Sequence, residues 1–278
     1  MKTANTTKQT VLVLGGTGKT GSRVAAQLKE KGWPVRIGSR SADPSFAWED
    51  QSTWKPALQG IHAIYLSYHP DLAIPGTTAT IRAFTAAAIS SGVQKIVLLS
   101  GRGEKEAEAC EQIIMNSGVS WTIVRCAWFN QNFSEGYLVD PLLAGHVALP
   151  AGSVAEPFID VDDIADVAVA ALTDDRHNGE LYELTGPRLL TFEEAVQEIA
   201  KAAGKPIRYE AISTDAYKAM LVEYNIPGDF IWLVTYLFTE VLDGRNAHLS
   251  DGVQRALGRA PRDFSEYARK TAATGVWN

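Results

Sequence analysis

A short glycine-rich segment near the N-terminus constrains the fold more than any other part of the chain. Four apolar residues, Val11–Leu14, predict a buried parallel strand, and a glycine turn follows at once. Residues 22–31 then have the composition of a helix, which ends before Gly32. A strand, a glycine turn and a helix N-terminus together favour a bound phosphate, because free backbone N–H groups and the helix dipole attract negative charge. The segment therefore predicts a dinucleotide-binding βα unit.

The spacing of the glycines narrows the class of site. Gly15, Gly18 and Gly21 form a G-x-x-G-x-x-G pattern rather than G-x-G-x-x-G. A mononucleotide P-loop would need its first glycine at position 13, where the strand has Val13. We therefore exclude the P-loop and expect the whole turn to bind the dinucleotide, through Gly15, Gly16, Thr17, Gly18, Lys19, Thr20 and Gly21.

The end of the second predicted strand, residues 33–40, indicates which dinucleotide binds. NAD-binding folds place an acidic residue about 20 positions after the glycines, where it binds the ribose 2′-hydroxyl. This chain has no acidic residue there and carries Ser39 and Arg40 instead. A guanidinium is a planar, permanent cation that suits a 2′-phosphate, although an arginine at a strand end can also be an ordinary surface residue. The sequence favours NADP(H), with Lys19 as a second positive charge.

Composition limits the partners and the compartment. The 278 residues are 46% hydrophobic and carry a formal net charge of −6, which argues against nucleic acid and anionic membranes as partners. Cys110 and Cys126 have no metal-ligand spacing, so we expect a reduced, cytoplasmic protein without a bound metal. Residues 1–9 are polar and predict a loose leader. The sequence leaves the oligomeric state open.

Strands and helices alternate through the first half of the chain, which is typical of a doubly wound parallel sheet. We assign residues 10–155 to an α/β, Rossmann-type dinucleotide-binding portion. Residues 156–278 are assigned to a smaller mixed α/β portion that completes the sheet and forms the substrate pocket. A short third strand is expected at Ser45–Glu49, and this strand would place Asp50 at the adenine end of the dinucleotide. Further on, Thr191 and Glu194 form a capping box that opens a helix.

Several longer segments resemble the NmrA-like family, an atypical branch of the extended short-chain dehydrogenases. They are VLVLGGTGKTGSRV at 11–24, NSGVSWTIVRCAWFNQNF at 116–133, PFIDVDDIADVAVAAL at 157–172, ELTGPRLLTFEEAVQEIAKAAGKPI at 183–207 and GRAPRDFSEYA at 258–268. Within the family, LVLGGTGKTGSR, DQSTW, AIYLSYHP and the aromatic pair of RCAWFNQN resemble the festuclavine and agroclavine dehydrogenases. The resemblance implies an NAD(P)-binding oxidoreductase fold over nearly the whole chain.

The same resemblance implies that the turns after successive strands surround the dinucleotide. It assigns cofactor contacts, besides the glycine turn, to Ser39, Arg40, Ser67, Gly101, Ala127 and Asn132. A general rule agrees with this placement, since ligands of open α/β sheets bind at the carboxyl ends of the strands.

The helix expected after the strand of residues 95–100 lacks the acid of a typical short-chain dehydrogenase. Such enzymes use a Tyr-x-x-x-Lys pair there, in which the tyrosine donates a proton to the substrate oxygen. The corresponding segment, GEKEAEACEQIIMNSG, has no tyrosine. Ser100 occupies about the position of the family's catalytic serine, without its usual partners. Tyr68 is a substitute proton donor if the reaction needs one.

Two hypotheses from different classes remain. In the first, the protein is an NADPH-dependent reductase of a small iminium, imine or quinone-like molecule, whose reduction needs no strong acid. A flat or cationic substrate would bind to aromatic side chains, for which we select Trp128, Phe129, Tyr137, Trp232 and Tyr236. In the second, the protein binds NADP(H) without turnover as a redox-sensing regulator, as some NmrA-like proteins do.

Overall fold

The computed structural model describes residues 8–278, so the predicted leader of residues 1–9 lies mostly outside the described residues. The strands of this range are β1 (Val11–Leu14), β2 (Val35–Gly38), β3 (Ala63–Leu66), β4 (Lys95–Gly101), β5 (Ser120–Cys126), β6 (His146–Leu149), β7 (Ala155–Glu156), β8 (Glu180–Leu184), β9 (Leu190–Thr191) and β10 (Arg208–Ala211). Its α-helices are α1 (Lys19–Glu30), α2 (Trp54–Leu58), α3 (Thr77–Ser90), α4 (Lys105–Met115), α5 (Val139–Leu143), α6 (Val161–Thr173), α7 (Phe192–Ala203), α8 (Thr214–Glu223), α9 (Gly228–Tyr236), α10 (Gly252–Leu257) and α11 (Phe264–Ala272).

The central sheet has six strands in the order β2-β1-β3-β4-β5-β8. Strand β1 is parallel to β2 on one side and to β3 on the other, and β3 is parallel to β4. All four residues of β1 and of β3 are buried, as expected of strands that are covered on both faces. All these strands run in the same direction, but the order in which the chain adds them reverses between β1 and β3: β2 lies on one side of β1, and β3 and β4 lie on the other. Sheets of this kind bind their ligands at such a switch point. The predicted doubly wound α/β fold is confirmed.

The described chain forms two compact units. Unit 1 contains the residues up to Gly101, Lys105–Arg125 and Ile164–Tyr182, and unit 2 contains Arg102–Glu104, Cys126–Asp163 and Glu183–Asn278. The two units alternate along the sequence. The division at residue 155 therefore stays a prediction about the roles of the two halves.

In unit 1, the strand expected at Ser45–Glu49 is wrong. The segment contains only an isolated bridge between Ala47 and Asp50. Phe46 and Trp48 both pack against Phe84, with ring centroids 5.7 and 5.0 Å apart. Side chains two residues apart would also share a face in a strand, so the apolar pattern alone does not distinguish a strand from this irregular segment.

In unit 2, an aromatic cluster forms the centre of the core. The Phe192 ring lies 5.0 Å from Phe158 and 6.0 Å from Phe133, while Phe264 lies 5.6 Å from Phe133. The capping box that opens α7 is confirmed, since the side chain of Thr191 accepts from Glu194 N and the Glu194 carboxylate accepts from Thr191 N. No helix within residues 8–278 is both long and apolar enough to span a membrane.

Candidate functional site

The turn between β1 and α1 leaves the N-terminus of the helix open to an anion. The N-cap residue is Gly18, which has no side chain to accept from the first N–H groups, and the first turn of α1 has no acidic residue. Gly15 adopts a left-handed conformation, with φ at +65°, and its carbonyl accepts from Gly18 N at 2.9 Å. The free N–H groups and the positive end of the helix dipole therefore face the same turn, as a phosphate requires.

The same turn is packed too tightly for larger residues on its inner side. A Cβ added at Gly21 would lie 2.2 Å from the carbonyl oxygen of Gly15, and one at Gly15 would lie 3.2 Å from the Cβ of Ser67. At Gly18, an added Cβ would meet only the Gly15 oxygen, at 3.3 Å. The glycines thus place the turn against Ser67, after β3, and leave room beside Gly18 for a ligand. This geometry fits the pyrophosphate of a dinucleotide.

Arg40 is positioned close to the glycine turn by the register of the sheet. Gly38, the last residue of β2, pairs with Leu14, which directly precedes Gly15. Two residues after Gly38, the Arg40 side chain is exposed and has no hydrogen bond or ion pair within the described part of the chain. Ser39 precedes it, with its Oγ 3.3 Å from that of Ser41. An unpaired guanidinium at this position suits a 2′-phosphate.

Asp50 has a structural partner in unit 1. Its Oδ1 accepts from Ser52 N at 3.0 Å and from Ser52 Oγ at 2.6 Å, which caps a short 3₁₀ helix. These hydrogen bonds hold the pKa of the Asp50 carboxyl below its ordinary value. A contact between Asp50 and the adenine end of the dinucleotide stays a prediction.

Tyr68 is half-buried after β3, and its ring packs against the Trp48 ring at a centroid distance of 4.8 Å. Its neighbour Ser67 lies against the glycine turn. This arrangement brings the tyrosine to the carboxyl end of the sheet, but its role as a proton donor stays a prediction.

The hydroxyl of Ser100 is bound within unit 1. Ser100 is 4% exposed and donates to Glu111 Oε1 on α4 at 2.6 Å. Glu111 is fully buried, and Arg125 donates to both of its oxygens, through Nε at 2.9 Å and through Nη2. The serine proton is therefore used to complete a buried ion pair. A catalytic role of Ser100 stays a prediction. Gly101 follows as the last residue of β4.

The segment after β5 lies in unit 2 beside the segment that precedes α6. Ile159 N donates to Trp128 O at 2.8 Å, and Asn130 N donates to Ile159 O at 2.9 Å. Ala127 N donates to Leu184 O at 3.0 Å, at the end of β8. These bonds fix the backbone on either side of Phe129. Asn132 is half-buried, and its backbone N–H donates to Phe129 O at 3.1 Å.

The predicted substrate-binding aromatic residues of unit 2 fall into three environments. The half-buried Trp128 ring packs against Phe238 at 5.0 Å, so at least one face is part of the core. Tyr137 lies 5.7 Å from Phe230. Its hydroxyl is buried without a hydrogen bond to the described residues, and burial raises its pKa well above the ordinary value. Trp232 and Tyr236, one helical turn apart, form a stacked pair with planes 6° apart.

Two buried polar residues of unit 2 were missed by sequence reasoning. Asn130 is fully buried, yet neither atom of its amide has a partner among the described residues. Glu156 is 1% exposed, and its side chain has no hydrogen bond or ion pair in that part of the chain. Burial raises the pKa of Glu156 to about 8. The available signal was a polar residue inside an apolar run, the asparagine within WFNQNF and the glutamate before PFI.

The chain is similar to proteins of one family along most of its length. A family model described as NAD(P)H-binding matches residues 15–175, and one described as NmrA-like matches residues 105–268. Agroclavine dehydrogenase of Claviceps fusiformis is 32% identical, over 93% of this chain and 96% of that protein. Prestalk A differentiation protein A of Dictyostelium discoideum is 29% identical, over 95% and 93%. The crystal structure of an NADPH-dependent quinone oxidoreductase from Escherichia coli, complexed with NADPH, has a TM-score of 0.79 at 20% identity and covers 96% of this chain and 100% of that one.

Proposed function

Because the chain belongs to the NmrA-like family and is an NAD(P)H-dependent oxidoreductase, we propose that it reduces the C=N bond of a small iminium or imine compound with NADPH. A relative at 32% identity is named agroclavine dehydrogenase, and the sequence resembles that group at the glycine turn and after β3 and β5. The likeness extends over most of both chains.

The bound state of Ser100 carries the proposal. Hydride addition to a ketone or an aldehyde creates an alkoxide, which needs a proton at the same time. In this chain α4 contains no tyrosine, and the Ser100 hydroxyl donates a hydrogen bond to Glu111 Oε1 at 2.6 Å. Hydride addition to an iminium carbon instead neutralises a positive charge that is already present. The arrangement therefore favours a C=N⁺ acceptor over a carbonyl.

The residues of the chain bind and orient the reactants, and NADPH supplies the hydride when it is bound. In unit 1, the N-terminus of α1 binds the pyrophosphate and Arg40 binds the 2′-phosphate. In unit 2, Trp128 and Phe129 contact a flat, cationic substrate, because the faces of aromatic rings attract cations. The substrate is a small molecule, and its exact identity is open.

The direct test is NADPH consumption by the purified protein, with a panel of cyclic iminium salts, cyclic imines, quinones and aldehydes. NADPH binding is measured by calorimetry on the same preparation. We expect turnover with the iminium salts and imines, and at least about tenfold lower kcat/KM with aldehydes of similar size. Turnover confined to quinones would replace the proposed substrate class. Tight NADPH binding without turnover across the panel would overturn the proposal in favour of a redox-sensing role.

A further inference from the structure

The outward face of α9 carries a pair of aromatic rings that the core of unit 2 does not use. Val234 and Phe238 are buried in that core, whereas Trp232 is 42% exposed. The rings of Trp232 and Tyr236 have centroids 5.4 Å apart and planes 6° apart. Among the described residues, Trp232 has no ring contact besides this one. The Trp232 ring therefore presents an open face to solvent.

Two carboxylates flank the aromatic pair along the same side of the helix. Asp229 precedes Trp232 by three residues in α9, and Glu240 follows Tyr236 by four residues in the π-helical turn Leu237–Val241. Side chains at such spacings are neighbours on a helix surface. Both carboxylates are exposed, and neither forms an ion pair with a described residue. Their negative charge is therefore available to a ligand at the rings.

A cation near this face, Arg245, is already bound by a carboxylate of its own. Its Nε donates to Asp243 Oδ2 at 2.8 Å. The hydrogen bonds to Asp243 raise the pKa of Arg245 most, and the charges of Glu240 and Tyr236 raise it further. Glu240 and Tyr236 therefore lie close to the same guanidinium. With Asp229, three carboxylates and one guanidinium surround the rings, so the face keeps an excess of negative charge.

Exposed apolar side chains are concentrated in this part of unit 2. Val222, near the end of α8, is 63% exposed, and Tyr224, which follows that helix, is 71% exposed. Helix α8 packs against α9. Clusters of exposed apolar side chains mark binding surfaces. A second copy of this chain does not suit the face, because a symmetric contact would bring Asp229 and Glu240 against the same carboxylates of the other copy.

We propose that this acidic aromatic face of α9 binds a flat organic cation. The choice of ligand rests on the proposed function, whose substrate is an iminium compound. The cation contacts the open face of Trp232, because aromatic ring faces attract cations and tryptophan attracts them best. The carboxylates of Asp229 and Glu240 add charge complementarity. A neutral imine or quinone of the same shape lacks both attractions, so the face selects C=N⁺ compounds.

Such a face raises the local concentration of a cationic substrate at the surface of unit 2. Negative surface charge speeds the encounter with a cation, and added salt removes this effect. No bond is made or broken at α9, and hydride transfer takes no part in this binding. The affinity for the cation is therefore measurable in the absence of NADPH.

The experiment measures, by calorimetry at pH 8, the Kd of N-methylquinolinium, a flat permanent cation, and of quinoline, its neutral counterpart. We expect wild type to bind the cation at least about fivefold more tightly than quinoline. Trp232→Ala should raise the Kd of the cation about two- to fivefold, the value of one exposed cation–π contact, and Trp232→Phe should restore part of the affinity. Glu240→Gln should raise it about twofold at low salt and less at high salt.

The matched controls are Trp33→Ala and Glu108→Gln in unit 1. Lys8 Nζ already lies 5.8 Å from the centroid of the Trp33 ring, and Glu108 is an exposed glutamate of α4. Both variants should bind the cation as wild type does. Circular dichroism verifies that every variant is folded.

The outcomes distinguish this inference from the function on which it rests. If Trp232→Ala binds the cation as tightly as wild type, or if wild type binds quinoline equally well, the role of α9 is overturned and the proposed function stands or fails by turnover. A dimer of wild type that Trp232→Ala abolishes would assign the face to a second copy and also overturn the inference. Cation binding that depends on Trp232 and Glu240 supports it, and absence of turnover would then refute the proposed function alone.

Discussion

Arg40 is the residue to which we assign the contact with the 2′-phosphate of NADPH. It is exposed, has no ion pair among the described residues, and follows a strand whose last residue pairs next to the glycine turn. We expect Arg40→Ala to raise the Kd for NADPH about 10- to 100-fold, the value of one or two charge-assisted hydrogen bonds. The Kd for NADH should change less than about twofold, because NADH has no 2′-phosphate. Titration calorimetry with both dinucleotides measures the difference.

The control for this prediction is Arg82→Ala, which removes another exposed arginine of unit 1, on α3. It should leave both Kd values unchanged. Equal weakening of NADPH and NADH by Arg40→Ala would remove the assignment of this arginine to the 2′-phosphate.

Ser100 has a predicted role that comes from its position in the chain and a hydrogen bond that only the fold reveals. Its place at the end of β4 predicts a catalytic serine by resemblance. The direction of its hydrogen bond, toward the buried Glu111–Arg125 pair, depends on residues 11 and 25 positions further along the chain. No local pattern in the sequence indicates that pairing.

At the scale of elements, two glycines of the turn between β1 and α1 have different roles: Gly21 is required for packing, and Gly18 leaves space for the ligand. A Cβ at Gly21 would lie 2.2 Å from backbone, whereas a Cβ at Gly18 would meet the Gly15 oxygen at 3.3 Å. The backbone of Gly18 is extended, with φ at −87°, which other residues also adopt, and the Gly15 oxygen would have to move by only a few tenths of an ångström. We expect Gly18→Val to keep the fold and to lose dinucleotide affinity at least about 100-fold, because the side chain occupies the space of the pyrophosphate.

Circular dichroism and thermal unfolding verify the fold of Gly18→Val, and calorimetry measures its affinity. Gly21→Ala serves as the comparison, because its clash with the Gly15 carbonyl should lower the free energy of unfolding as well. Retained NADPH affinity in a folded Gly18→Val protein would contradict the placement of the pyrophosphate.

At the scale of the whole molecule, Glu156 makes stability depend on pH. Its pKa in the folded protein is about 8, above the ordinary value of 4.5. The stability that this group contributes is therefore complete below pH 4.5 and is lost as pH rises to about 8. We expect the free energy of unfolding of wild type to fall relative to Glu156→Gln across this interval, by on the order of a few kcal/mol.

Denaturant unfolding of both proteins at pH 5, 6.5 and 8, measured by fluorescence, gives this difference. The pKa of Asp263 lies well below its ordinary value because Arg188 Nε donates to its Oδ2 at 2.7 Å. Asp263 therefore changes the free energy of unfolding only at acidic pH, below the range of this measurement. A constant difference between the two proteins from pH 5 to 8 would show that Glu156 is ionised in the fold.

The sequence by itself determined the doubly wound fold, the glycine turn and the capping box of α7. These features depend on neighbouring residues: apolar runs set strands, glycines permit tight turns, and a hydroxyl three residues before a carboxylate caps a helix. At Ser45–Glu49 the local pattern did not suffice to predict the structure. Phe46 and Trp48 pack against Phe84, but the segment does not form a strand of the sheet.

Only the tertiary structure decided which polar groups have partners. It placed Glu111 between Ser100 and Arg125, and it left Glu156 and the amide of Asn130 buried without one. Burial and pairing are set by residues that are distant in the chain and adjacent in space, which spacing along a sequence does not encode. For that reason the identity of the cofactor could be inferred from the residues near β1 and β2, whereas the buried, unpaired state of Glu156 emerged only from the packing of unit 2.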